Sequence, residues 1–134
     1  MVGCSTNTPS STTPLAESTT VNVTVQGESE TTHFNQEILK IKLYKYNPMI
    51  AGKSATLVEE ITKKLDDKYP SIIYKTKIGT KAYRDPQSKY YITVYVVNKE
   101  GKRTHYGYKN GTEGFSKVLE NNNRDVLMVL KYKG

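Results

Sequence analysis

The most regular pattern of apolar and charged residues covers residues 54–69 and predicts an amphipathic helix. Its apolar residues fall on one stripe at a period of about 3.6 residues; they are Leu57, Val58, Ile61 and Leu65. Two acidic residues each precede a lysine by four positions, the order that supports an exposed helix face; these pairs are Glu59 with Lys63 and Glu60 with Lys64. Thr56 followed by Glu59 resembles a capping box, and Pro70 would end the helix.

Five other runs have the composition of β-strands. They cover residues 37–46, 72–78, 90–98, 103–108 and 126–133. The first alternates cleanly, with leucine and isoleucine on one face and lysine and tyrosine on the other, as in a half-buried strand. The run 90–98 is apolar or aromatic on both faces, so we expect it to lie centrally in the sheet. Gly101 can adopt a positive φ, and this predicts a tight hairpin between residues 98 and 103.

A second, shorter helix is predicted from Thr112 to the asparagines at 121–123, burying Phe115, Val118 and Leu119. The order of elements is then β-α-β-β-β-α-β. Helices collected on one face of a mainly antiparallel sheet define the α+β class. This order is similar to a ferredoxin-like split βαβ unit with an added hairpin strand, and cystatin-like or β-grasp-like sheets fit it almost as well.

The first 36 residues differ in composition from the rest of the chain. They contain none of the 20 lysines and arginines, whereas three of the 13 acidic residues lie there. We therefore expect a tether over 1–36 and a basic domain over 37–134, which polyanions would attract. A strand-like alternation over 19–26 could be an edge strand, but we place it outside the core. Good solubility alone is an equally simple explanation of the positive charge.

The one cysteine lies at the start of the chain, in Val2-Gly3-Cys4, and a Ser/Thr/Pro-rich stretch covers residues 5–14. This stretch is too polar to fold by itself. The tripeptide resembles the end of the lipobox of bacterial lipoproteins. The resemblance implies a diacylglyceryl group on Cys4, whose two acyl chains would anchor the protein in the cell membrane with its domain outside the cytoplasm. In the alternative interpretation, Cys4 is incidental and the segment is an ordinary disordered terminus.

No residue pattern predicts catalysis, a metal site or a cofactor. Gly52-Lys53-Ser54 is similar to the end of a phosphate-binding loop, but the loop's first glycine is replaced by Asn47 and Pro48 has no N–H to donate. A plain anion site at the start of the helix, assisted by Lys53, remains. The two histidines, His33 and His105, are an ordinary number for this length, and we predict that the protein is not an enzyme.

Interleaved tyrosines and basic residues are the one pattern that points to binding. Tyr91 and Tyr95 could share an open sheet face with several basic residues, because aromatic rings stack on ligands and lysines neutralise anions. The candidate residues for an anion or a partner are Lys40, Lys42, Tyr44, Lys53, Lys75, Lys77, Arg103 and His105.

Two functional hypotheses follow from these patterns. The first is a surface lipoprotein whose small basic domain binds a protein or an anionic polymer. The alternative is a soluble domain that binds nucleic acid through the Tyr/Lys-rich face of its sheet.

Overall fold

A computed structural model describes residues 18–28, 34–50, 52, 54–65, 69, 72–109, 112–120 and 123–132. All regular structure in these residues is β-strand, so the predicted α+β class, with one long and one short helix, is wrong. The strands are β1 (Val21–Gly27), β2 (Glu37–Tyr46), β3 (Thr56–Leu65), β4 (Ile72–Ile78), β5 (Lys89–Val97), β6 (Arg103–Lys109), β7 (Thr112–Glu113), β8 (Phe115–Val118) and β9 (Asp125–Tyr132).

The strands form one sheet in the order β3-β2-β5-β6-β9-β1-β4, while β7 pairs with β6 and β8 pairs with β5. Only β1 and β9 pair in parallel. The two end strands, β3 and β4, meet at a seam. There the Gly79 N–H, just after β4, donates to Glu59 Oε1 on β3 at 2.6 Å. The Lys63 ammonium also lies 5.8 Å from the centre of the Tyr74 ring across the same seam. The sheet is therefore a nearly closed barrel.

The interior of the barrel is filled mainly by alternate residues of four strands, and β3, β4 and β8 add Leu65, Ile73, Ile78 and Val118. Because side chains in a strand point to opposite faces in turn, every second residue reaches the inside. Phe34 closes one part of this core, with its ring 6.2 Å from Tyr69. The inward residues of the four strands are Val21, Val23 and Val25; Leu39, Ile41 and Leu43; Ile92, Val94 and Val96; and Val126, Met128 and Leu130.

Strand β1 is an inner strand of the sheet, so the expectation that residues 19–26 lie outside the core is wrong. It pairs with β9 on one side and with β4 on the other. Its three valines are at most 1 % exposed. The Arg124 guanidinium fixes the start of the strand by donating to the carbonyl oxygens of Ser18 and Thr20, both at 2.9 Å. The polar residues that surround the valines belong to the other face of a paired strand, not to a tether.

Strand β3 takes the place of the predicted long helix. Thr56, Val58, Ile61 and Thr62 are β-branched and fit a pleated surface well. Pairing with β2 along its whole length satisfies the backbone on that side, and packing overrides helix propensity. The charged residues that would pair along a helix can pair with a neighbouring strand instead. Glu60 forms an ion pair with Lys40 of β2 at 3.4 Å.

Strand β8 takes the place of the predicted short helix. It pairs with the first half of β5. Its alternation buries Ser116 and Val118 but turns Phe115 outwards, whereas the helix prediction placed Phe115 in the core. Leu119 is buried as expected and ends the strand with a positive φ of 64°.

A close approach to Thr19 and Leu43 just after β4 requires a glycine at position 79. Gly79 has a φ of 79°, and a Cβ there would lie 2.4 Å from the Thr19 carbonyl oxygen and 2.7 Å from Leu43 Cδ2. We predict that Gly79→Ala lowers the free energy of unfolding by ~3 kcal/mol or more, because steric overlap adds to backbone strain. Gly101→Ala is the matched control, since its φ is 84° but nothing lies within 4 Å of the added atom. Urea unfolding should show that Gly101→Ala lowers the free energy of unfolding by only ~1 kcal/mol. Equal losses for the two variants would contradict the role given to Gly79.

Candidate partner-binding face

The outer surface of β3, β2, β5 and β8 carries a continuous group of aromatic and aliphatic side chains. Residues paired across strands share one side of a sheet, and the pairing sets Leu57 beside Tyr44 and Tyr44 beside Tyr91. We call this surface the aromatic face and define it by the side chains of Tyr44, Tyr46, Leu57, Tyr91, Tyr95 and Phe115.

The rings of the aromatic face contact one another around Tyr91. Tyr44 stacks on Tyr91 with 5.2 Å between ring centres and 20° between planes. Tyr46 is tilted against Tyr91 at 6.0 Å, and Phe115 meets it edge-on at 5.9 Å. Such arrangements are favourable beyond simple burial and hold the rings in fixed positions.

Part of this surface is open to water. Leu57 is 45 % exposed and Phe115 is 40 % exposed on the two flanking strands β3 and β8, whereas Tyr95 is 7 % exposed. In the loop after β2, Met49 and Ile50 are exposed as well. Contiguous apolar exposure on a small domain marks an interaction site more often than a single exposed leucine does.

Two hollows lie side by side on the face and share Thr93 and Gly114. The first has a volume of about 590 Å³. Apart from the two shared residues it is lined by Tyr46, Ala55, Tyr91, Phe115 and Lys117. The second has a volume of about 310 Å³. Its other lining residues are Tyr44, Val94, Tyr95, Arg103 and Tyr106.

The hollows lie where β5 changes partners. Tyr95 of β5 is paired with Tyr106 of β6, whereas Thr93, two residues earlier, is paired with Phe115 of β8. At this fork the Gly114 N–H donates to the Gly107 carbonyl oxygen at 2.8 Å. Gly114 has a φ of 94°, a conformation that glycine adopts without strain. The hollows are therefore formed by the branching of the sheet, where β5 changes from one partner strand to another.

Positive charge surrounds the second hollow. The Arg103 guanidinium lies 4.0 Å from the centre of the Tyr95 ring, and the Lys42 ammonium lies 5.5 Å from it. Both are cation–π contacts. A hydrogen bond with Tyr95 raises the pKa of Lys42 above its ordinary value, against a smaller effect of burial. Lys42 is therefore positively charged at neutral pH.

The structure brings most of the predicted Tyr/Lys face together. Lys40, Lys42 and Tyr44 share the outer surface with Tyr91, Tyr95 and Arg103. Lys75 and Lys77 are exposed on β4, which pairs with β1 and contributes no side chain to the aromatic face or to its hollows. The predicted anion-binding Lys53 and the predicted lipidation site Cys4 lie outside the described residues.

The structure places His105, which was expected on the same face, on the inner side of β6. A register shift at Val96 and Val97 sets it opposite the buried Val96. Its ring lies 5.1 Å from the Phe34 ring, and only 6 % of the residue is exposed. Burial lowers the pKa of His105, and the Glu37 carboxylate opposes this effect.

Three members of the aromatic face were missed from the sequence. Leu57 and Phe115 had been assigned to the buried sides of helices, and Tyr46 ends a strand whose other tyrosine, Tyr44, was identified. Neither 56–65 nor 115–118 alternates apolar and polar residues at a period of two, so no local signal marks these segments as strands.

The part of the chain that the structure describes groups no three His, Cys, Asp or Glu side chains that could hold a metal ion. The same residues include no helix of the length and hydropathy needed to span a membrane.

The chain matches no protein-family model and no curated protein. Among solved structures, the fold is similar to an alternative pilotin from the type II secretion system of Vibrio cholerae, with a TM-score of 0.57. The two sequences are 13 % identical, and the match covers 83 % of this chain and 93 % of the other. At this identity the similarity concerns the fold.

We predict that Tyr91 ionises late in an alkaline titration. Burial, together with the neighbouring Tyr44 and Tyr46, raises the pKa of Tyr91 above its ordinary value of 10.0. Between these two pKa values the unfolded chain loses a proton that the folded protein keeps, so the free energy of unfolding falls as the pH rises above 10.0. Tyr91→Phe removes this contribution, and its stability should fall less steeply between about pH 9 and about pH 11 in urea unfolding.

The matched control is Tyr83→Phe, which removes the hydroxyl of a residue that is 74 % exposed. It should leave the wild-type pH dependence unchanged. A Tyr91→Phe variant that shows the same pH dependence as the wild type would contradict the packing described around Tyr91.

Proposed function

We propose that this chain is a non-enzymatic bacterial lipoprotein that is held to the membrane by lipid on Cys4 and binds a protein partner through the aromatic face. The observation that carries the proposal is the outward-facing aromatic face, where Leu57 and Phe115 are 45 % and 40 % exposed. The barrel interior is filled without it, so its rings need a different reason to be on the surface.

Burial of this apolar surface against a partner would contribute favourable free energy to binding. Covering an exposed leucine or phenylalanine completely contributes about 1.5–3 kcal/mol, and Leu57 and Phe115 are each close to half exposed. Tyrosine and phenylalanine are enriched at the centres of protein interfaces. The mutual packing of the rings also lowers the entropy lost on binding, because they are already held in place.

The anchor and the location rest on two supports. Val2-Gly3-Cys4 resembles the end of a lipobox and precedes a Ser/Thr/Pro-rich stretch. The fold is similar to that of an alternative pilotin from a type II secretion system. We therefore propose a domain that faces outside the cytoplasm and takes part in an envelope assembly.

Nucleic-acid binding is the second candidate, since Lys42 and Arg103 flank Tyr95 on a chain of net charge +7. The ring contacts weigh against it. Base stacking needs free ring faces, but Tyr44 covers one face of Tyr91 and two cations occupy Tyr95. An apolar protein segment can instead use the ring edges and the hollows between them.

We predict that Cys4 carries the lipid when the gene is expressed with its own upstream codons in its host. Metabolic labelling with an alkyne-bearing fatty acid should mark the wild-type protein, and Cys4→Ser should abolish the label and release the protein from the membrane fraction. Ser5→Ala, which changes the next residue but keeps the thiol, is the control and should stay labelled. Equal membrane retention of the Cys4→Ser variant would refute the anchor.

We also predict that the aromatic face lies at the contact with the partner in the cell. A photo-crosslinking amino acid in place of Phe115 should yield one discrete crosslinked protein after irradiation of intact cells. The same residue in place of Leu127 of β9, which is 47 % exposed, should not. The site at Leu127 matches the exposure of Phe115 but lies outside the face. Equal crosslinking at both sites, or crosslinks to nucleic acid, would reject the proposed binding mode.

A further inference from the structure

The two hollows of the aromatic face differ in chemistry, and this difference defines the partner more closely. We infer that the partner presents an acidic segment that places a large apolar side chain in the first hollow and a neighbouring Asp or Glu carboxylate against Arg103 in the second. This inference rests on the proposed protein-binding role of the face.

The first hollow is suited to an apolar side chain. Its walls are the rings of Tyr46, Tyr91 and Phe115 together with the Ala55 methyl group. At about 590 Å³ it has room for an aromatic or long aliphatic side chain. Among the lining residues that the structure describes, Lys117 is the one that carries a charge, and its aliphatic stem can extend over an apolar ligand while its ammonium stays in water.

The second hollow is suited to a carboxylate. The Arg103 guanidinium is held over the Tyr95 ring at 4.0 Å, which restricts its conformations before any ligand arrives. Tyr44, Tyr95 and Tyr106 line the same hollow. Tyrosine hydroxyls can donate to a carboxylate, and a guanidinium can bind both of its oxygens.

Charge on the face favours an acidic partner. Lys40 is neutralised by Glu60 at 3.4 Å. Lys42, Arg103 and Lys117 remain, and no carboxylate whose position the structure describes forms an ion pair with Arg103 or Lys117. An excess of positive charge around an apolar centre attracts acidic segments and disfavours basic ones.

A protein segment satisfies both hollows at once. The hollows share Thr93 and Gly114, so a residue in one is next to a residue in the other. Adjacent side chains of a polypeptide supply an apolar group and a carboxylate at this range. An anionic polysaccharide could pair with Arg103 but would leave the apolar hollow unfilled.

The test selects ligands from a random-peptide phage library on the full 134-residue chain. We expect selected sequences to combine an aromatic or long aliphatic residue with a neighbouring Asp or Glu. A synthetic peptide with the selected sequence is then compared with its amide counterpart, in which the acid is replaced by Gln or Asn. Fluorescence anisotropy should show about tenfold or greater weakening for the amide peptide, as for the loss of a charged hydrogen bond.

Variants then locate the effect. With Arg103→Gln, the acidic and amide peptides should bind about equally, whereas Lys75→Gln on β4 should leave the tenfold difference unchanged. Phe115→Ser should weaken both peptides alike. The comparison of the two peptides on the wild-type protein does not depend on whether any variant folds.

The possible outcomes distinguish a failure of this inference from a failure of the proposed function. Peptides that lose affinity with Phe115→Ser but tolerate amide replacement would overturn the acidic chemistry and leave the protein-binding face intact. Peptides indifferent to Phe115→Ser would overturn both. Displacement of the selected peptide by single-stranded DNA at physiological salt would assign the face to nucleic acid and overturn both as well.

Discussion

Exclusion of water from the inside of the curled sheet is the constraint on which the structure depends. The described residues hold no helix that could cover one side of the sheet, so the inner side of the curled sheet packs against other parts of the same sheet. Four strands meet this need by turning valine, isoleucine, leucine or methionine inwards at every second position. Closure then places β3 and β4 side by side. Just after β4, a glycine is needed at position 79 because its backbone lies against Thr19 and Leu43.

The outer surface is free of this constraint, and that makes its aromatic residues informative. A strand that fills a barrel needs apolar residues on one face only. β5 is apolar or aromatic on both faces: Ile92, Val94 and Val96 are inside, and Tyr91 is outside with Tyr44 stacked on it. The outward rings add little to closing the core. Phe115, which lies open beside them, is the ring that the proposed partner would cover.

The strands β2, β4 and β5 and the hairpin at Gly101 were correctly predicted from the sequence. The prediction was wrong at residues 56–65, where Leu57, Val58, Ile61 and Leu65 satisfy a helical period, because pairing with the preceding strand β2 overrides that local pattern. It was wrong at the valines of β1 because their parallel partner β9 lies about a hundred residues later. Half of the aromatic face was identified: Tyr44 from the alternation on β2, and Tyr91 and Tyr95 from the tyrosines of the run 90–98. Phe115 and Leu57 needed the correct secondary structure first.

The two hollows show how a fold made of regular strands produces a specific surface. β6 pairs with the end of β5 and β8 with its beginning, so the outer surface is not a flat continuation of one ladder. Gly107 permits this fork, because a Cβ there would lie 3.0 Å from Val94 and Met128. The walls of the hollows are therefore set by backbone pairing and by rings packed on one another. A site built in this way changes little when a ligand arrives, and the cations beside Tyr95 then decide which ligands can use the apolar hollow next to it.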